Sequence, residues 1–141
     1  MKKVIFIAII MAITSINSIA QNYSLTVKVE GLENTKGNIS IGIYNVAEKF
    51  PEVGKAYKDA EMIIEGQDFS YTFHDLPKGK YAIAIFQDDN SNGVLDKNFF
   101  GVPTEAYGFS NNVFGTFGAP GFEDASFLLK NNYTIAVTLK Y

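Results

Sequence analysis

The sequence predicts an all-β chain folded as a single Ig-like or transthyretin-like β-sandwich of about seven strands, with a long loop and one short helical crossover. Three observations predict it. From Gln21 onward apolar residues recur with period two rather than 3.6. Turn signals fall between the apolar runs. Only the stretch 46–60 has a helix-forming composition, and Pro51 and Gly54 interrupt it, so it predicts one or two helical turns in a crossover. The chain of 141 residues is 47% hydrophobic and 14% aromatic, which suits one packed domain and argues against disorder.

Taken in order, residues 1–20 read as a targeting signal. Lys2 and Lys3 form a basic start, 4–13 are almost wholly apolar, and Ser18-Ile19-Ala20 puts small residues where a signal peptidase cuts. The apolar run is short for a bilayer, which needs about 20 such residues. The expectation is therefore an exported protein, periplasmic or extracellular, cleaved before Gln21. Its mature chain, 21–141, would be one sandwich domain with no transmembrane segment. Losing Lys2 and Lys3 takes the net charge from −3 to −5.

Tyr23, Leu25, Val27 and Val29 alternate with polar residues and give the first strand. After the turn Asn34-Thr35-Lys36-Gly37, Ile39, Ile41 and Ile43 give the second, and Met62-Ile63-Ile64 a further short one. Phe69, Tyr71 and Phe73 alternate with Asp68, Ser70, Thr72 and His74, up to the turn Leu76-Pro77-Lys78-Gly79. The run 81–86 holds no polar residue and reads as a strand buried on both faces. Phe127 and Leu129 mark the next strand. Asn131-Asn132 turns the chain, and Tyr133, Ile135, Val137 and Leu139 make the last. The alternation places Ile41, Ile83, Ile85 and Val137 in the core.

After Phe86 the pattern breaks. Asp88, Asn90 and Asn92 stand at positions 1, 3 and 5 of a D-x-N-x-N-G pattern, with Gly93 at position 6 and Asp96 at position 9. This is the first part of an EF-hand-type calcium loop, in which alternate residues of a tight coil aim oxygens at one hard cation. The carbonyl of Val94 would add a ligand. Position 12 is Phe99 rather than a bidentate Glu, and a strand leads in, so the loop is not an EF-hand. Two readings fit it: a weak Ca²⁺ site, or an Asx-rich turn built on Asn92-Gly93. Asp89 and Glu105 are candidate helpers.

Beyond the loop, 97–112 is long and rich in Gly, Asn and aromatics. Such a segment is usually functional or disordered, and its aromatics argue against disorder. Phe99, Phe100, Tyr107 and Phe109 are candidates for a recognition surface. The competing reading is a satellite cluster that pins the segment to the sandwich. Phe114 and Phe117 continue the theme.

Several function classes are excluded. There is no cysteine, hence no disulfide scaffold, no thiol nucleophile and no lipidated Cys. All 12 basic residues are lysine and the balance is acidic, so nucleic acid is an unsuitable partner. No phosphate loop, dinucleotide fingerprint or nucleophile elbow is present. His74, the one histidine, reads beside Asp75 as a solvated turn residue. Catalytic residues are therefore not expected.

The runs Leu76-Pro77-Lys78-Gly79-Lys80-Tyr81, Asp88 to Asp96, and Phe100-Gly101-Val102-Pro103-Thr104-Glu105-Ala106-Tyr107-Gly108-Phe109-Ser110-Asn111-Asn112 resemble the DUF2141 family of exported bacterial proteins. Where that family often carries His before the acidic loop, this chain has Gln87. The segment around Leu76-Pro77 and Tyr81 also resembles transthyretin-like and carboxypeptidase-regulatory-like sandwiches. That resemblance implies the fold and no activity. The functional expectation is a non-catalytic binding or structural module, its ligand an envelope protein or a glycan. The alternatives are an envelope-assembly partner, or a glycan hydrolase using Asp88, Asp96 or Glu105.

Overall fold

A computed structural model describes residues 21–141; the expected signal segment, 1–20, lies outside the described residues. The described residues form eight strands in two sheets, which is the predicted all-β sandwich with one strand more than expected. In the three-stranded sheet, β1 (Asn22–Glu30) lies between β4 (Phe69–Pro77), antiparallel to it, and β8 (Tyr133–Thr138), parallel to it. The second sheet runs β3 (Lys58–Ile63), β2 (Asn38–Tyr44), β5 (Gly79–Asp88), β6 (Tyr107–Phe109). The short β7 (Phe127–Leu129) pairs with the first residues of β5, and β6 with its later ones. Among the described residues no helix is long and apolar enough to cross a membrane.

The period-two pattern decides which side chains meet. Leu25, Val27 and Val29 from β1, Ile39, Ile41 and Ile43 from β2, Ile83 and Ile85 from β5, and Val137 from β8 all lie in one core between the sheets. Ile41, Ile83 and Val137 are fully buried and Ile85 is 2% exposed, so the four residues named from alternation are core. Burying apolar surface at about 25 cal/mol per Å² makes this layer the main source of stability.

β5 is buried on both faces for an identifiable reason. Its inner face points into the sandwich. Its outer face, at Ala82 and Ala84, is covered by a second cluster of Phe50, Phe109, Phe114, Phe122 and Ala125. The rings pack edge to face, Phe50 lying 5.8 Å from Phe109 and 6.0 Å from Phe122. The helical turns were anticipated only in part. A 3-10 turn at Ala47–Lys49 falls in the predicted crossover, whereas the single turn α1 (Phe122–Ala125) was not foreseen.

Two expectations are corrected. His74 is not a turn residue but part of β4, and its Nδ1 lies 3.0 Å from Ser24 Oγ on the neighbouring strand. The third strand begins at Lys58 and ends at Ile63, so Ile64 is a buried residue beyond it rather than a strand member. The turn before β2 also shows a close approach: Gly37 has φ +66°, and a Cβ there would collide with the Asp88 carbonyl. That approach sets the base of the acidic loop against the β1–β2 connection.

Candidate functional site at the aromatic end

β5 runs directly into the acidic loop, so a rigid strand positions the first residues of the site. Gln87 is fully buried at its end. Its Nε2 donates to Asn34 Oδ1 and the Lys36 carbonyl, both at 2.9 Å, and its Oε1 accepts the Tyr141 hydroxyl at 2.9 Å. A side chain whose amide is engaged on both sides is a structural tie.

Asp88, 1% exposed, turns its carboxylate back into the loop. Oδ1 accepts the Asn92 N–H at 3.0 Å and Oδ2 the Gly93 N–H at 2.7 Å. Glu105, 5% exposed, does the same from the segment just before β6, taking the Asp89 N–H at 2.9 Å and the Asp96 N–H at 2.8 Å. The two buried carboxylates are thus the loop's internal scaffold, each satisfied by backbone donors.

The remaining predicted ligands converge in part. Asp96 Oδ2 accepts Asn90 Nδ2 at 2.6 Å, and Asn92 Nδ2 lies 3.2 Å from both Asp96 oxygens. The amide oxygens of Asn90 and Asn92 face the other way, onto the N–H groups of Asn92 and Val94. Val94 presents a half-exposed side chain. A hard cation requires oxygens where amide nitrogens now meet Asp96. The set therefore fits Ca²⁺ only after both amides turn over. Among the described residues no three His, Cys, Asp or Glu side chains are gathered for a metal ion. The left-handed residues of the turn are Ser91 (φ 57°) and Gly93 (φ 82°), not the Asn92-Gly93 pair of a type I′ hairpin.

Past Asp96 the chain makes a second, tighter excursion. The Thr104 N–H donates to the Asp96 carbonyl, Lys97 bridges Pro103, and the Asn98 N–H donates to Val102. Asn98 Oδ1 accepts the N–H groups of Phe100 at 2.9 Å and Val102 at 3.1 Å. This Asx cap fixes the apex of a hairpin and leaves Phe99 and Phe100 outside it. Phe99 is 98% and Phe100 86% exposed. Their centroids lie 5.6 Å apart with the planes at 85°.

The four aromatic candidates thus divide. Tyr107 and Phe109 belong to β6, where Phe109 is buried and packs with Tyr107 and Phe114; they pin the segment, as the cluster reading expects. Phe99 and Phe100 do not. Between the hairpin and residues 115–119 opens an apolar cleft of about 840 Å³. Tyr107 and Phe109 lie in its floor, Pro51 and Val53 on one side, and Phe100, Val102 and Phe117 at its mouth. Phe117 is fully exposed, and so completes the patch. Sequence reading gave Phe117 no distinct place, although its neighbour Gly118 signals a loop tip. Glu52 and Lys97 line the same cleft, and neither has an ion-pair partner among the described residues.

The cleft wall is anchored from below. Tyr44 Oη donates to the Glu52 carbonyl at 2.9 Å. Burial, assisted by the charges of Asp59 and Glu52, pushes its phenol up to about 12. Elsewhere, a polar hollow of about 480 Å³ lies between β3 and β4, lined by Tyr57, Lys58, Asp59, His74 and Asp75. The Ser24–His74 pair is exposed, and no carboxylate hydrogen-bonds to His74 among the described residues.

Fold and site together define a two-sheet sandwich with a carboxylate-scaffolded loop and an aromatic-tipped hairpin at one end. The chain belongs to the DUF2141 family, described as an uncharacterized protein conserved in bacteria, whose profile matches residues 27–136. No curated protein and no solved structure matches it.

Proposed function

We propose that the protein is an exported, non-catalytic binding module that engages an envelope partner with its aromatic end. One observation carries this reading: a hydrogen-bonded hairpin holds Phe99 and Phe100 at 98% and 86% exposure beside an apolar cleft. Holding large apolar side chains in water on a fixed backbone is unfavourable unless something covers them, and contiguous exposed apolar patches mark interaction sites. The perpendicular Phe99 and Phe100 rings offer no flat platform for a sugar chain, which favours a protein surface over a glycan. The non-catalytic reading is supported by Asp88 and Glu105, whose oxygens are committed to loop N–H groups rather than aimed at a cleft. Export is supported by the tripartite pattern of 1–20.

The test is photo-crosslinking in the producing cell. A photoreactive residue at position 99 is expected to yield a discrete adduct, and one at Lys28, on β1, none. No adduct at either position overturns the reading. Mass spectrometry of the protein from envelope extracts is expected to find an N-terminus at Gln21; retention of 1–20 overturns the export reading.

A second reading concerns the acidic loop, proposed as a weak Ca²⁺ site. Its support is the convergence of Asn90, Asn92 and Asp96 within hydrogen-bonding distance of one another. Turning the two amides over would give up their hydrogen bonds to Asn92 and Val94, at about 1 kcal/mol each. Weak affinity, ~10⁻⁴–10⁻³ M, follows.

A further inference from the structure

We infer that the partner at the aromatic end is a second copy of this chain, seated in a two-fold contact in which Phe99 and Phe100 of each copy enter the cleft of the other. The inference rests on the binding reading above and names its partner.

Area is the first argument. Phe99, Phe100 and Phe117 are 98%, 86% and 102% exposed, and Val53, Val94 and Val102 are 53%, 50% and 56% exposed. With about 200 Å² for a whole phenylalanine, the three phenylalanines alone offer roughly 570 Å², and the half-exposed valines add to it. The largest apolar patch of a typical monomer is about 300–600 Å². A stable dimer takes about 800 Å² from each partner. The summed apolar surface is thus at or above the upper end of what a monomer ordinarily leaves open, and with the polar rim of the cleft it approaches the area a dimer covers.

Shape is the second. The same end carries both a knob and a hole. Phe99 projects beyond the hairpin apex and takes no part in lining the cleft, while Phe100 forms the edge of the cleft. A two-fold axis brings one patch onto itself, so a surface with both features can bury both at once. The cleft, about 840 Å³, has room for aromatic side chains.

Charge is the third. The tips 98–103 and 113–121 contain no charged residue. The charges on the cleft lining are Glu52 and Lys97, of opposite sign, neither in an ion pair among the described residues. In a two-fold contact Lys97 of one copy meets Glu52 of the other, and the reverse, which fixes register. Of the acids at this end, Asp88 and Glu105 are buried and bonded to the loop, while Asp89 and Asp96 stay on the acidic loop, outside the cleft lining.

Sedimentation equilibrium of the purified protein at micromolar concentrations is the test. A reversible dimer is expected. Phe99→Ser should raise its dissociation constant at least about tenfold, as for a buried aromatic anchor. Lys97→Glu and Glu52→Lys should each weaken the dimer, and the double variant should restore it, because each contact then regains one charge of each sign. Circular dichroism of every variant should match the wild type, since these side chains are on the surface. A protein that stays monomeric, or a dimer indifferent to Phe99→Ser, overturns the inference. So does a charge-swapped double variant weaker than both single variants. If the monomeric protein floats with phosphatidylglycerol vesicles, the aromatic end takes a membrane surface and both readings are wrong; if it is monomeric and position 99 crosslinks to another envelope protein, only the second copy is wrong. The binding reading then stands. A monomer with no adduct at position 99 sinks both.

Discussion

Glu105 holds Asp96 across the acidic loop: its Oε2 accepts the Asp96 N–H at 2.8 Å while Oε1 takes the Asp89 N–H at 2.9 Å. One carboxylate thus ties the entrance of the loop to its exit, and it sits just before β6, whose pairing with β5 keeps it in place. The neighbouring register is set by the Gln87 N–H, which donates to the Ala106 carbonyl at 2.8 Å. The first prediction follows. Glu105→Ala should destabilise the protein by about 1.5–3 kcal/mol, the range for hydrogen bonds to a charged group in a buried setting. Amide exchange should accelerate at Asp89 and Asp96 before it does in β2. Unchanged melting together with unchanged exchange would mean that the loop closes without Glu105.

Ile83 is the second. It lies on the inner face of β5 and is fully buried among the core isoleucines. Truncation removes apolar contact and leaves a void that a close-packed interior cannot fully close. Ile83→Ala should cost about 2–5 kcal/mol in urea unfolding. Ile63→Ala, at a position 73% exposed on the edge strand, should stay within about 0.5 kcal/mol. Equal effects at the two positions would show that β5 is not central.

The contrast between these isoleucines shows why the sandwich was legible in the sequence and its end was not. Alternation reports which side of a strand a residue occupies and places Ile41 and Val137 between the sheets, while the unbroken apolar run 81–86 marks the strand of Ile83 as buried. It fails where the pattern is too short to have a period: β6 has three residues, and α1 is a single turn. It fails also for the aromatics of 97–112, because an exposed and a buried phenylalanine look alike outside a repeating pattern. What separates Phe99 from Phe109 is long-range. Phe109 sits on a strand paired with β5 and is covered by Phe50 and Phe114, whereas Asn98 caps a turn that leaves Phe99 almost fully exposed. The acidic loop was legible in outline only. The spacing brought Asn90, Asn92 and Asp96 together, but gave no sign that Glu105 and Asp88 would spend their oxygens on the backbone.

Tyr44 supplies a prediction in pH. Its ring lies over Gly42, where an added Cβ would come within 2.9 Å of the ring, and its hydroxyl holds the Glu52 carbonyl. With the phenol pushed up to about 12, the folded protein keeps a proton that the unfolded chain releases near pH 10. Stability from this group is fully present below pH 10 and is lost as pH rises toward 12. Over that interval the wild type should lose about 2–3 kcal/mol more than Tyr44→Phe, which has no proton to give up. The comparison cancels every ionisable group other than Tyr44, since the two proteins share them all. Parallel pH profiles for the two would refute it.

The calcium reading gives the last prediction. Two carboxylates, Asp88 and Asp96, are the charged members of the proposed ligand set, and Asp88 already binds two N–H groups. The cation would have to draw its remaining oxygens from Asn90, Asn92 and the Val94 carbonyl, at the cost of the hydrogen bonds that now turn both amides toward Asp96. Few charges and a required rearrangement both weaken binding, so the expected Kd is ~10⁻⁴–10⁻³ M. Free calcium at about fivefold over Kd then stabilises the folded state by about 1 kcal/mol, and the gain grows only logarithmically beyond that. For a domain of this size that is a rise in Tm of a few degrees. Asp96→Asn is the informative variant. Among the described residues, the Asp96 side-chain oxygens bond only to the Asn90 and Asn92 amides, whereas Asp88→Ala would also remove two backbone caps and unsettle the loop directly. Asp96→Asn should abolish the calcium-dependent rise with little change in the chelated protein, and Asp75→Ala, in β4, should leave the rise intact. If several millimolar calcium neither shifts the melting of chelator-washed protein nor releases heat in calorimetry, the loop is a turn held by Asp88 and Glu105 and takes no cation.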